Sequence, residues 1–250
     1  MAGTVGQQLM RMLVTRPEPD GELTQARLAA LDIDAVAVPL MVRQTLDTSL
    51  PPPDGFTAMV LTSANAVRSL ADRGVIGAYA HLPVFTVGDH TAREAQAAGF
   101  ARVSSAAGAF QDLVNAMAIA ELRGPVFYPA PRHQSADLAK ALAPLGVMVA
   151  TSKIYDMVAV DALPDNIISG LADDIAAVLL YSRRTAEIFC RLADALPRER
   201  RQQLALLCMS EAVAEPALAA RFSRISLADH PDEEAMMALA LAFAREQSGS

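Results

Sequence analysis

Hydroxyl side chains follow two apolar runs at the point where each run meets a predicted helix. The stretch MVLTSANAVRSL, residues 59–70, places Thr62 and Ser63 at such a junction, and VLLYSRRTAEIF, residues 178–189, places Ser182 at another. Helix starts carry unpaired backbone N–H groups, so a hydroxyl beside them can help to bind an anion such as a carboxylate. Serine and threonine are also ordinary N-cap residues, and that structural interpretation stays open for each position taken singly.

Other polar residues occupy junctions of the same kind. The hydroxyl residues at or near predicted strand ends are Thr15, Thr62, Ser63, Thr91, Ser182 and Ser210, and the arginines are Arg16, Arg93, Arg132, Arg183 and Arg184. The carboxyl ends of parallel strands form one edge, where ligands bind, and arginine can add charge-assisted hydrogen bonds there. We therefore predict an anion-binding edge, while a solvated surface role stays open for Arg183 and Arg184 taken singly.

The charge of the protein limits its partners. The chain has 250 residues and a formal net charge of -7, and we predict no nucleic-acid partner, because nucleic-acid-binding surfaces are usually basic. An acidic small molecule is not excluded, since backbone N–H groups at helix starts hold carboxylates without a side-chain cation.

Tyr155, in the stretch TSKIYDMVA, is the tyrosine with a candidate chemical role. A phenol of ordinary pKa, about 10, can donate a proton to a departing hydroxyl. The alternative is a tyrosine packed within a strand with its hydroxyl satisfied, and the sequence leaves both interpretations open.

Several motifs with cofactor or metal chemistry are absent from the sequence. It contains no GxxxxGK[ST] loop and no GxGxxG after a strand, and VGDHTA, residues 87–92, is too short a match for a dinucleotide site. The four histidines and two cysteines have no metal-ligand spacing, and no GxSxG elbow is present. We predict neither a cofactor nor a metal.

The order of apolar and amphipathic segments predicts an α/β protein with parallel sheets. Helices fill most of the gaps between the runs, and Pro231 is expected in the first turn of the last helix. The predicted strands lie near residues 12–15, 35–43, 57–62, 84–87, 102–104, 125–128, 147–158, 175–181, 204–209 and 224–227.

An internal repeat divides the chain into two similar α/β halves. FTAMVLTSANAVRSL is similar to IAAVLLYSRRTAEIF, and the stretch that opens with RMLVTRPEP is similar to the one that opens with GPVFYPAPR. RVSSAAGAFQDLVNAMA is likewise similar to RISLADHPDEEAMMALA. The junctions of Ser63 and Ser182 therefore have corresponding places in the two halves.

The sequence also predicts where the protein is found. The longest apolar stretch, residues 235–244, is about half of the roughly 20 residues that a membrane-spanning helix needs. The start of the chain lacks the pattern of a secretory leader, and two cysteines imply no disulfide framework. We predict a cytoplasmic protein without a membrane association.

Taken together, LVTRPEPDGELTQARLAALDIDAVAVPL, VLTSANAV, TVGDHTAREAQAAGF, FYPAPRHQSADLAKALAPLGVMVATSKIYDMV and YSRRTAEIF resemble the uroporphyrinogen-III synthase family, particularly its bacterial members. The likeness covers residues 12–244. It implies two similar flavodoxin-like or Rossmann-like parallel-sheet domains joined by a two-stranded β-ladder. The first domain would combine residues 1–38 with 160–250, the second would span 44–151, and the ladder would pair 39–44 with 153–159.

The resemblance also implies a reaction, a lyase reaction without a cofactor. Hydroxymethylbilane loses water, its last pyrrole ring is inverted through a spiro intermediate, and the macrocycle closes between the domains, in the biosynthesis of haem, sirohaem and cobalamin. The resemblance further implies a monomer that receives its substrate from the preceding deaminase.

Family positions match particular residues of this sequence. Tyr155 matches a tyrosine suggested to act as a general acid, in a role that is not essential. Ser210, in CMSEAVAE, departs from the Gly-x-Thr-Thr pattern of many relatives and stands in for it. The residues expected to bind the tetrapyrrole are Thr15, Arg16, Thr62, Ser63, Thr91, Arg132, Ser182 and Ser210.

Two other functions remain open on the sequence alone. One is a non-catalytic two-lobed module that binds or senses a tetrapyrrole or small anion. The other is a transferase for a phosphorylated small molecule, which would need a phosphate loop that the sequence does not contain.

Overall fold

The strands and helices alternate along the chain in the computed structural model, which describes residues 11–106, 108–134 and 136–248. The strands are β1 (Arg11–Val14), β2 (Ala35–Ala37), β3 (Met41–Thr45), β4 (Ala58–Leu61), β5 (Val84–Thr86), β6 (Val103–Ser105), β7 (Val126–Pro131), β8 (Val149–Ala159), β9 (Ile175–Leu180), β10 (Ala205–Cys208) and β11 (Arg224–Leu227). The helices are α1 (Asp20–Ala29), α2 (Ala64–Asp72), α3 (Ile76–Tyr79), α4 (Asp89–Ala98), α5 (Phe110–Ile119), α6 (Leu138–Leu142), α7 (Asp165–Asp173), α8 (Arg183–Leu192), α9 (Arg198–Gln203), α10 (Glu211–Ala219) and α11 (Glu233–Ser248).

The chain divides into two compact units. Unit 1 comprises the residues up to Val42 and those from Ala159 onward, and unit 2 comprises Arg43–Val158. Residues 1–10, 249 and 250, which the sequence assigns to the first domain, lie outside the described residues. Unit 1 has the strand order β2-β1-β9-β10-β11, and the sheet of unit 2 has the order β3-β8-β7-β4-β5-β6. The pairs β1 with β9 and β4 with β7 are both parallel, so the predicted α/β class with parallel sheets is confirmed.

The internal repeat crosses between the units. In unit 1 the first two strands of one repeat, β1 and β2, share a sheet with β9, β10 and β11 of the other. In unit 2, β7 and β8 share a sheet with β4, β5 and β6 in the same manner. Numbered along the chain, the strands of unit 1 have the order 2-1-3-4-5, whose switch point lies between strands 1 and 3. Unit 2 has the same arrangement, with β7 and β8 in the places of β1 and β2. The switch points are therefore β1/β9 in unit 1 and β7/β4 in unit 2.

The most apolar runs form the central strands. All four residues of β4 are buried, and so are all residues of β9 except Ala176. A parallel strand with helices on both faces has no solvent side, which explains why these runs do not alternate with polar residues. β4 ends at Leu61 and β9 ends at Leu180, and the candidate hydroxyl residues follow these strand ends in the sequence.

Unit 2 buries apolar side chains on both faces of its sheet. On one face, the ring of Phe127 stacks on Phe56 and Tyr79, with centroids 5.4 and 5.3 Å apart. On the other face, Val60 and Tyr128 belong to a separate buried cluster. In unit 1, Met12 and Val14 of β1 share a buried cluster with residues of α11. Packing on both faces fixes the strand ends, where the candidate functional residues lie.

Two predicted boundaries differ from the structure. Residues 35–43 form two strands rather than one, because Pro39 between them has no N–H for the ladder. The carbonyl of the next residue, Leu40, accepts a hydrogen bond from the N–H of Val160 at 3.1 Å. Pro231 precedes α11 rather than lying in its first turn. The carboxylate of Asp232 accepts the N–H of Ala235 at 2.8 Å, which makes Asp232 the N-cap.

Among the described residues, no helix combines the length and apolar character needed to cross a membrane.

Candidate functional site

The residues on either side of the two switch points include the predicted hydroxyl residues. In unit 1, Thr15 directly follows β1, and Ser182 lies two residues beyond the end of β9. In unit 2, Thr62 and Ser63 directly follow β4. Ligands of doubly wound sheets bind outside this edge, so each unit has polar groups where a ligand is expected.

Ser63 and Ser182 have the same role in the two repeats. The Ser63 Oγ accepts the N–H of Asn65 at 3.2 Å, and the Ser182 Oγ accepts the N–H of Thr185 at 3.2 Å. Both serines have extended backbone and are the N-caps of α2 and α8. The carbonyls of the two serines also accept the N–H groups of Ala66 and Ala186, each at 3.0 Å, so an anion can bind only to the N–H groups that precede these in each helix.

Thr15 is committed to the sheet. Its side chain is fully buried, and its hydroxyl donates to the carbonyl of Leu179 at 2.7 Å. This bond joins β1 to β9 at the switch point of unit 1. The hydroxyl of Thr15 therefore stabilises the strand ends and has no exposed surface for a ligand.

Arg16 lies in a network of polar side chains in unit 1. Its guanidinium donates to the carboxylate of Glu233 and, at 3.1 Å, to the hydroxyl of Thr24. Asp20 forms a further ion pair with it at 3.4 Å. The guanidinium also lies over the ring of Tyr181, whose pKa is raised by burial and by the nearby Glu233 carboxylate. Arg16 thus has two carboxylate partners before any ligand binds.

Thr62 and Ser63 have tyrosine partners on opposite faces of the sheet in unit 2, because Tyr128 and Tyr155 belong to the two separate buried clusters. The Thr62 Oγ1 lies 3.1 Å from the hydroxyl of Tyr128 on β7. The Ser63 side chain interacts with the hydroxyl of Tyr155 on β8. Each of the two adjacent hydroxyls is therefore paired with its own tyrosine.

Burial holds both tyrosines in the protonated form. Tyr128 and Tyr155 expose only 4% and 3% of their surface. Desolvation raises the pKa of Tyr155 to about 12, against a smaller lowering by the Ser63 side chain. Desolvation likewise raises the pKa of Tyr128, partly offset by its bond to Thr62. At neutral pH each phenol keeps its proton and can donate it in a hydrogen bond.

The other predicted residues lie at neighbouring strand ends. Arg132, just after β7, donates its backbone N–H to the carbonyl of Tyr155 at 2.8 Å, and its guanidinium forms an ion pair with Asp156 at 3.3 Å. Thr91 lies in the first turn of α4 and is buried. Ser210 is the N-cap residue of α10, but its hydroxyl forms no cap hydrogen bond.

Three residues that the sequence analysis did not single out lie at the strand ends or contact residues there. Tyr181 stands between β9 and Ser182, the place that Thr62 has in the other repeat, so the repeat alignment carried a signal for it. Tyr128 lies inside β7 and looks like an ordinary core residue of a strand. Glu233 meets Arg16 across 217 positions of sequence, and no local pattern indicates that contact.

The fold is that of a doubly wound α/β protein in which hydroxyl residues follow the central strands of each unit. The family model of uroporphyrinogen-III synthase HemD matches residues 22–238, and the chain belongs to this family. The resemblance found in the sequence is thereby confirmed, and with it the place of the protein among the synthases of tetrapyrrole biosynthesis.

Solved structures support the fold. The uroporphyrinogen-III synthetase of Helicobacter pylori superposes with a TM-score of 0.67 at 16% identity, covering 94% of this chain and 99% of that one. A mutant uroporphyrinogen III synthase from Thermus thermophilus superposes with a TM-score of 0.56 at 16% identity, covering 96% of this chain and 100% of that one. No curated protein sequence matches this chain significantly.

Proposed function

We propose that the protein is a hydro-lyase that converts hydroxymethylbilane into uroporphyrinogen III. The family match over residues 22–238 is the observation that carries this proposal. The helix starts and hydroxyls at both switch points are suited to the acetate and propionate groups of such a substrate.

The chemistry asks the protein mainly for geometry. The electron-rich pyrrole expels the hydroxyl of the substrate, which leaves as water once it has received a proton. The substituted carbon of the last ring then attacks the resulting electrophilic carbon to give the spiro intermediate. The bond from that ring carbon to its original bridging carbon breaks, the bridging carbon bonds to the free terminal carbon of the ring, and loss of the proton there closes the macrocycle with the ring inverted. Closure without inversion gives isomer I, so the binding edge must favour the approach of one carbon over another.

In unit 2, the residues that bind and orient the substrate in this proposal are Thr62, Ser63, Thr91 and Arg132. Ser63 caps α2 and leaves neighbouring N–H groups for a carboxylate. Thr62 is half-buried and has its hydroxyl next to Tyr128. Tyr155 acts as the general acid that gives a proton to the departing hydroxyl, and its raised pKa means that the phenol still carries this proton at neutral pH.

In unit 1, Ser182 and Ser210 stand at helix starts and form the second set of carboxylate contacts. Ser210 has its hydroxyl free of a cap hydrogen bond. Arg16 contributes positive charge that Asp20 and Glu233 largely balance, and Thr15 holds the strand ends together. We assign the two units the role of domains, with residues 39–44 and 153–159 as the ladder that joins them.

We also propose that the protein works as a cytoplasmic monomer that takes its substrate from the preceding deaminase. The substrate is unstable toward spontaneous closure, which favours direct delivery. Size-exclusion chromatography with light scattering measures the oligomeric state, and a dimer would overturn that part of the proposal.

A coupled assay tests the reaction. Porphobilinogen is supplied with a deaminase that makes hydroxymethylbilane, with and without this protein, and the porphyrins are separated by isomer after oxidation. We expect mainly type III with the protein and type I without it. Type I alone, from protein shown to be folded by circular dichroism, would reject catalysis and leave a non-catalytic tetrapyrrole-binding module.

A further inference from the structure

Tyr128 occupies an unusual place for a core tyrosine. Its ring is buried on the face of unit 2 that also contains Val60, Leu113 and Leu138. Its hydroxyl, however, reaches the end of β4 and lies 3.1 Å from the Thr62 Oγ1. Tyr128 thus joins the apolar interior to a half-buried hydroxyl at the candidate binding edge.

The chemistry of the two hydroxyls gives their hydrogen bond a direction. A carboxylate accepts hydrogen bonds and donates none, so Thr62 must donate its single proton if it is to bind one. That leaves the oxygen of Thr62 as the acceptor for Tyr128, whose phenol is the stronger acid and the better donor. In this series of two hydrogen bonds, Tyr128 donates to Thr62 and Thr62 donates to the carboxylate, so both hydroxyl protons are used. The first hydrogen bond strengthens the second.

The surroundings keep this arrangement fixed. The ring of Tyr128 is almost fully buried, so its hydroxyl has little freedom to turn away. Threonine has more than one accessible rotamer, and its hydroxyl proton rotates freely when nothing accepts or donates to it. Burial also keeps the phenol protonated well above neutral pH, since it raises the pKa of Tyr128.

We propose that Tyr128 is a positioning residue that turns the Thr62 hydroxyl proton toward a substrate carboxylate. It acts through Thr62 and does not touch the substrate itself. This inference rests on the proposed function and adds to it a residue that determines affinity rather than the rate of the chemical step.

Tyr79 offers a matched control in the same unit. It exposes 3% of its surface, and its hydroxyl donates to the carbonyl of Pro51 rather than to a residue at the binding edge. Tyr79→Phe and Tyr128→Phe both remove one buried phenol hydroxyl from unit 2. Only the second change should affect substrate binding.

The experiment is a double-mutant cycle with Tyr128→Phe, Thr62→Val and the double variant. Steady-state kinetics in the coupled assay give KM and kcat, and fluorescence titration with uroporphyrin III, the oxidised product, gives Kd without turnover. Thermal unfolding checks that each variant is folded. We expect Tyr128→Phe to raise KM and Kd about threefold to tenfold with kcat nearly unchanged, and the double variant to be no weaker than Thr62→Val.

Three outcomes would overturn the proposal for Tyr128. The first is that Tyr128→Phe binds uroporphyrin III with the same Kd as Tyr79→Phe. The second is that the effects of Tyr128→Phe and Thr62→Val on the binding free energy add in the double variant. The third is that Tyr128→Phe lowers kcat and leaves KM unchanged. Failure of the proposed function is recognised separately, because the wild-type protein would then give no type III product. The titration with uroporphyrin III still reports on the role of Tyr128 in that case.

Discussion

The guanidinium of Arg16 lies 4.5 Å from the centroid of the Tyr181 ring, which places a cation on the aromatic face at the switch point of unit 1. Stacking of this kind is favourable and leaves the N–H groups in the plane free to donate. Those groups are taken by Glu233, Thr24 and Asp20. The network ties the ends of β1 and β9 to the first residue of α11.

Loss of the Glu233 carboxylate should destabilise unit 1. The side chains of Arg16 and Glu233 expose only 17% and 22% of their surface, so removal of one charge leaves the other poorly solvated. We expect Glu233→Gln to lower the free energy of unfolding by about 1–3 kcal/mol in urea titrations. Arg27 is the control, because it is 60% exposed and lies 3.8 Å from Glu233, and Arg27→Gln should cost less than about 1 kcal/mol. Equal losses for both variants would contradict the network.

The two capping serines should contribute modestly to substrate affinity. Ser63→Ala and Ser182→Ala each remove one hydroxyl from a helix start that keeps its backbone donors. We expect Kd for uroporphyrin III to rise about threefold to tenfold and stability to fall by about 1 kcal/mol. Ser226→Ala, on exposed β11, is the control and should change neither quantity. An effect of Ser226→Ala on affinity larger than that of the capping serines would refute their placement at the binding edge.

The tyrosines should make the protein sensitive to alkali. The chain has four tyrosines, and burial raises the pKa of each one, Tyr79, Tyr128, Tyr155 and Tyr181. In the unfolded chain their pKa is about 10. Above that pH the unfolded state loses protons that the folded state retains, so stability falls as pH rises.

An alkaline titration measures this effect. We expect tyrosinate absorbance to lag behind that of free tyrosine and to appear together with the loss of the far-ultraviolet circular dichroism signal. Tyr155→Phe should reduce the lag, because the pKa of Tyr155 is raised to about 12. Titration of all four phenols near their ordinary pKa in folded protein would show that they are accessible to solvent.

Gly124 should resist substitution more than Gly74 and Gly55 of the same unit. Its φ of 142° is unfavourable for an L side chain, and an added Cβ would lie 2.6 Å from the Cγ2 of Thr57. We expect Gly124→Ala to cost about 2 kcal/mol or more. Gly74→Ala, with positive φ but open space, should cost about 1 kcal/mol, and Gly55→Ala, with open space, less than that. Chemical denaturation measures the free energy of unfolding of the three variants. If Gly124→Ala lowered it no more than Gly74→Ala, the steric clash with Thr57 would be rejected.

Local pattern predicted the parts of the fold that depend on burial. The runs of β4 and β9 are apolar because both of their faces are covered, and the family resemblance followed from the order of such motifs. The extension of β7 through Pro129 and Pro131 could not be predicted, since proline lacks the ladder N–H. The structure explains it, because the registered pairs of β7 with β4 end at Phe127, and the prolines pair with β8 alone.

The residues of the candidate site that have corresponding places in the two repeats could be predicted from the sequence. Those that depend on long-range contacts could not. Ser63 and Ser182 have corresponding places in the repeats, and both cap helices as the pattern indicates. The partner of Arg16 lies 217 residues away, and the partner of Thr62 is a tyrosine inside a strand. Such contacts depend on the order of the strands in the sheet, and local sequence patterns do not reveal that order.

Because the repeats cross between the units, the ribosome completes unit 2 before unit 1. Unit 2 is one continuous stretch, Arg43–Val158, so all of its strands have been synthesised before β9 exists. During synthesis β1 lacks its partner β9 while a whole unit is translated. On the ribosome unit 2 can therefore fold first, while the apolar strand β1 has only β2 to pair with until β9 is made.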